Sequence, residues 1–125
     1  MKNKIVVSKL GHTWILDLDG TIVKHNGYKI DGEDSFLSGA MEFLNNLPPK
    51  DMIIFITSRE EKEREKTEKF LKENHIRFDH MIFGAPYGER ILINDCKPSG
   101  LKTGIAVSLN RDAGCLFEIE EDETL

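Results

Sequence analysis

An α/β fold built on a largely parallel sheet is predicted for this 125-residue chain by three observations. Short apolar runs alternate with stretches of helical spacing, which is the signature of strands joined by crossover helices. Three of those runs end on polar residues, Asp17, Thr57 and Asp95. Glycine and proline punctuate the gaps, so the connections are short and the crossovers right-handed.

The elements follow in order. Thr13-Trp14-Ile15-Leu16 is a β-rich run ending on Asp17, the pattern of a buried parallel strand. Residues 24–35 are polar, hold Gly27 and Gly32, and read as a loop or flap. Phe36 to Leu47 has apolar residues at helical spacing and is stopped by Pro48-Pro49. Met52 to Ile56 is the second strand, ending on Thr57-Ser58. Glu60 to Asn74 interleaves charges as a solvated surface helix does. Phe78 to Phe83 is a short strand, and Gly84, Pro86 and Gly88 mark a loop. Arg90-Ile91-Leu92-Ile93 is expected as a strand ending on Asn94-Asp95, with a further strand over Ile105 to Leu109. Residues 118–125 hold five acidic residues and read as a frayed acidic tail.

Length and composition bound the function. A chain of this size forms one core and one domain, residues 1–125, without repeats. The net charge of -5 argues against nucleic acid as a general partner. No apolar run approaches the ~20 residues of a membrane span. Met1 to Ser8 is basic but lacks the apolar stretch of a secretory signal. Cys96 and Cys115 suit free thiols in a reducing cytoplasm better than a disulfide. His12, His25, His75 and His80 have no ligand spacing and read as surface or structural. Trp14 is expected in the core, and Tyr87 either lines a site mouth or is an ordinary loop residue.

The polar strand ends carry the chemistry. In an open parallel sheet, ligands bind outside the carboxyl ends of the strands, so Asp17, Thr57 and Asp95 can meet at one site. Asp17 and Asp19 stand two apart and point the same way along an extended chain. Two such carboxylates repel, and a divalent cation relieves the repulsion. Mg²⁺ suits one or two carboxylates completed by waters and a substrate phosphate, with Asp95 as a further oxygen donor. A carboxylate can also attack phosphorus to give an aspartyl-phosphate.

Asp17-Leu18-Asp19-Gly20-Thr21 after an apolar strand resembles the first motif of the haloacid dehalogenase-like superfamily of phosphohydrolases. Ile53 to Thr57 resembles its second motif and Ile91 to Asp95 its fourth. Gly88 to Pro98 resembles small members without a cap domain. The resemblance implies a three-layer, Rossmann-like parallel sheet with helices on both faces. It implies Asp17 as nucleophile and Asp19 as general acid, then base. It implies Mg²⁺ on Asp17, Asp19 (through its main-chain carbonyl) and Asp95. Thr57 would bind a phosphate oxygen, helped by backbone N–H groups near Leu18 and Ser58. An acid at the Asp19 position is the mark of phosphatases and phosphomutases rather than dehalogenases.

The pattern departs at two points. No basic residue stands clearly where the third motif expects one; Lys97 is preferred, with Arg90 and Arg59 as rivals. The fourth motif reads Asn94-Asp95 rather than two acids. Only 37 residues lie between Asp19 and Thr57, and 37 between Thr57 and Asp95, which leaves no room for a cap. An open site suits a larger substrate, or a small one covered by a partner protein or a second subunit. The expectation is a cytoplasmic, Mg²⁺-dependent phosphatase acting on a phosphorylated metabolite such as a sugar phosphate. A phosphotransferase or mutase and a non-catalytic phosphate-binding module are the competing classes.

Overall fold

The structure, a computed structural model, describes residues 3–125; the basic start at Met1 and Lys2 lies outside the described residues. It is a small α/β protein with parallel strands. Strand β1 (Asn3–Val7) precedes β2 (Thr13–Leu16), α1 (Gly27–Ile30) and α2 (Ala40–Asn45). Then come β3 (Met52–Ile56), a 3₁₀ turn (Glu61–Glu63), α3 (Arg64–Glu73), β4 (His80–Ile82) and β5 (Phe117–Glu121). No helix is long and apolar enough to cross a membrane among the described residues.

Strands β2, β3 and β4 form one sheet in that order, all parallel. Trp14 lies opposite Ile53 and Leu16 opposite Phe55. Phe55 in turn pairs with Met81. Ile53 and Phe55 are fully buried, as the two-residue period of a strand with one covered face requires. They pack with Leu18, Ile22, Val23, Ala40, Leu44, Leu71, Ile76 and Met81 in a single core. Trp14 joins from the rim, half-buried, its ring edge-on to Phe43 at 5.7 Å. Helix α3 turns Thr67 and Leu71, four apart, onto this core, while Arg64, Glu68, Lys69 and Glu73 pair on its outer face.

Six elements differ from the sequence reading, two of them β1, where no strand was expected, and α1, inside the stretch read as a loop or flap. The helix expected over Phe36–Leu47 is only Ala40–Asn45. Phe36 instead bridges Val23 in antiparallel fashion, and the Leu37 N–H bonds the Ile22 carbonyl. These apolar residues close the flap, and the chain turns at Gly39, which has a φ of 75°. The tail is not frayed: its first half is β5, paired in parallel with β1 from Asn3↔Phe117 to Val7↔Glu121. Lys4 and Glu120 form an ion pair at 2.7 Å on this ladder.

The strands expected at Arg90–Ile93 and Ile105–Leu109 are absent. Ile91 and Ile93 are 83% and 90% exposed. An apolar run becomes a strand only when its backbone finds a ladder, and here residues 94–103 bond to each other instead. Cys96 bridges Lys102, Asn94 donates to Thr103, and the Thr103 hydroxyl donates to the Asp95 carbonyl. Among the described residues, the edge of β2 opposite β3 carries no strand.

Candidate functional site

The site grows from the turn after β2. Leu18, fully buried, anchors it by accepting backbone N–H groups from Ile22 and Val23 at 2.9 and 3.1 Å. Gly20 turns the chain at a φ of 83°, which a side chain would strain. Buried Leu18 therefore separates two more exposed carboxylates, Asp17 and Asp19.

Asp17 leaves β2 directly. One carboxylate oxygen accepts the Thr21 hydroxyl at 3.2 Å, and the other accepts Arg90 Nη1 at 3.1 Å. Arg90 Nη2 lies 3.5 Å from Ser58 Oγ, so it spans the ends of β2 and β3. Thr57 is fully buried, and its Oγ1 accepts the Arg59 N–H at 3.1 Å. Because that bond uses the oxygen as acceptor, the hydroxyl proton can still be donated.

Asp19 belongs to a second cluster. Arg59 Nε and Nη2 donate to its two carboxylate oxygens at 3.0 and 2.8 Å. The same guanidinium donates to both oxygens of Asp34 at 3.0 and 2.7 Å, and to Thr67 Oγ1 at 3.0 Å. The Tyr28 ring lies against it, 4.0 Å from centroid to Cζ. Burial alone pulls the Arg59 pKa down; the hydrogen bonds and charges of Asp19 and Asp34 outweigh that and hold it above the usual guanidinium value.

The structure thus brings Asp17, Ser58 and Arg90 together, with Thr57 behind them and Asp19 two residues from Asp17. It does not bring in Asp95 or Lys97. The Asp95 carboxylate accepts the N–H of Cys96, its own neighbour, and the Lys97 N–H bonds the Leu101 carbonyl inside the same exposed loop. In this structure Arg90, one of the rival cations of the sequence reading, faces Asp17, and Lys97 does not. Among the described residues, no three His, Cys, Asp or Glu side chains gather so as to hold a metal ion, so Asp17, Asp19 and Asp95 are not a joint ligand set here.

Sequence reasoning missed Asp34, Tyr28 and Thr67. The signal was indirect: an arginine just past a buried strand is itself buried only if carboxylates meet it. The flap offered Asp31, Glu33 and Asp34, with no spacing rule to choose among them. No family model, no curated protein and no solved structure matches the chain.

Proposed function

We propose that the chain is a Mg²⁺-dependent phosphomonoester hydrolase of the haloacid dehalogenase-like kind, acting on a phosphorylated metabolite such as a sugar phosphate. The observation that carries this reading is Asp17 at the carboxyl end of β2, beside Thr57 and Ser58 at the carboxyl end of the parallel strand β3. The Asp17 carboxylate attacks phosphorus; the ester P–O bond breaks, and the leaving oxygen takes a proton from Asp19. Water then attacks the aspartyl-phosphate, gives its proton to Asp19, and frees phosphate and the Asp17 carboxylate. The Thr57 hydroxyl and the backbone N–H groups near Leu18 and Ser58 hold the phosphoryl oxygens. Mg²⁺, when bound, neutralises phosphate charge; Asp17, the Asp19 carbonyl and Asp95 are the oxygens that would hold it.

This reading includes the three-layer sheet. Arg90–Ile93, with Ile91, Leu92 and Ile93 apolar and exposed, would add to the open edge of β2, and Asp95 would travel to Asp17. A strand of that length spans about 10 Å, so Arg90 would leave Asp17 as Asp95 and Lys97 arrive. The Arg90–Asp17 pair is then a resting contact.

The test is hydrolysis of an aryl phosphate with Mg²⁺. Asp17→Asn abolishes it, by roughly 10³-fold or more, while Arg90→Ala retains or raises it. Equal rates in wild type and Asp17→Asn sink the mechanism; a loss in Arg90→Ala sinks the resting contact.

A second reading has its own observation: both oxygens of Asp19 are held by Arg59, which suits a non-catalytic phosphate-binding module. Failure to trap a BeF₃ adduct or an aspartyl-phosphate on Asp17 favours that reading. Phosphate transfer to added alcohols favours a phosphotransferase or mutase.

A further inference from the structure

We propose that Arg59 is a positioning residue that locks the 24–35 flap to Asp19, so that flap seating and Asp19 orientation form one equilibrium; its catalytic consequence rests on the hydrolase reading above. A guanidinium has five N–H donors. Arg59 makes five bonds: two to Asp19, two to Asp34 and one to Thr67. No donor remains for a substrate phosphate. With its side chain 2% exposed, Arg59 also presents no surface for one. Its influence on any reaction therefore passes through Asp19.

The partners of Arg59 come from three parts of the chain. Asp19 belongs to the turn after β2, Thr67 to α3, and Asp34 and Tyr28 to the flap. Arg59 itself follows β3. Asp34, with a side chain only 6% exposed, is thus buried by its pairing. The planar fork fixes both carboxylates at once: a shift of the flap takes Asp34 away and turns the fork that aims Asp19. Tyr28 holds the plane of the fork from the flap side. The flap's own bonds, Lys24 N–H to the Ser35 carbonyl and Asp31 N–H to the Gly27 carbonyl, make it move as a unit.

The experiment reads amide hydrogen exchange and kinetics on the full chain. In Asp34→Asn, exchange at Lys24, Gly27 and Asp31 rises about tenfold or more, as expected for losing charge-assisted bonds. The aryl-phosphate kcat falls by a similar factor, while KM stays within about twofold. Asp34→Glu restores part of both. Arg59→Lys, a point charge without the fork, behaves like Asp34→Asn; it replaces Arg59→Ala, which would leave two buried carboxylates unpaired. Faster flap exchange with unchanged kcat overturns the coupling. If wild type hydrolyses nothing, the hydrolase reading fails and exchange alone decides: Asp19→Asn must loosen the same flap amides, and unchanged exchange there overturns the proposal.

Discussion

Asp51 shows how much one buried carboxylate organises away from the candidate site. It accepts the His12 N–H at 3.1 Å and the Trp14 indole N–H at 2.9 Å, tying the start of β2 to the residue before β3. Burial raises its pKa, but the Trp14 and His12 hydrogen bonds outweigh burial and hold it below the usual carboxylate range. A folded value below the unfolded one means stability present above the ordinary carboxylate range and lost as pH falls through the folded value. Urea unfolding followed by Trp14 fluorescence should therefore show the midpoint of wild type falling under acid. Asp51→Ala should cost roughly 2 kcal/mol at pH 7, since two donors lose their acceptor, and should flatten the acid dependence. Trp14 was legible as an apolar strand residue; its partner was not, because Asp51 sits 37 residues away with nothing in local spacing to link them. Asp17 and Asp19 were legible for the opposite reason, since their meaning lies within five consecutive residues.

Among elements, the sequence was readable where period and neighbours agreed. Strands β2, β3 and β4 and the charged helix α3 stand within the predicted stretches. It was unreadable where an element needs a distant partner. Phe117 to Glu121 carries too much charge to declare itself a strand, and only β1 makes it one. Ile91 to Ile93 has the composition of a strand but no ladder. Gly114 marks another such long-range demand. Its φ is 92°, and a Cβ there would lie 2.2 Å from the Ser38 carbonyl oxygen. The next N–H, of Cys115, bonds that same oxygen at 3.0 Å. Gly114→Ala must therefore strain the backbone and break the seam between the α2 approach and the β5 approach. The expected cost is roughly 2 kcal/mol or more, read as a lower denaturant midpoint with an unchanged slope. A wild-type midpoint would show that this seam yields.

Across the whole molecule, the two thiols report the difference between core and rim. Cys115 is buried, donates to the Thr21 carbonyl at 3.3 Å, and burial pushes its pKa up to about 11. Cys96 lies exposed in the 94–103 loop. Alkylation of the folded chain should label Cys96 alone, and Cys115 should react only as the chain unfolds globally, because its shield is the core shared by both approaches to the sheet. Simultaneous labelling of both in native buffer would mean that this core opens locally.

The β1–β5 ladder has one more consequence, which concerns time. Asn3 meets Phe117 across almost the full length of the chain. Closing so long a loop is slow unless other contacts have already shortened it. During synthesis β1 leaves the ribosome long before its partner does. The β2–β3–β4 sheet and α3 have all their residues available well before then. Until Phe117 to Glu121 arrive, Lys4 to Val7 must wait as an unpaired β-prone edge. A lysine on an open edge disfavours pairing with another chain, so Lys4 has a use during that wait as well as in its ion pair with Glu120.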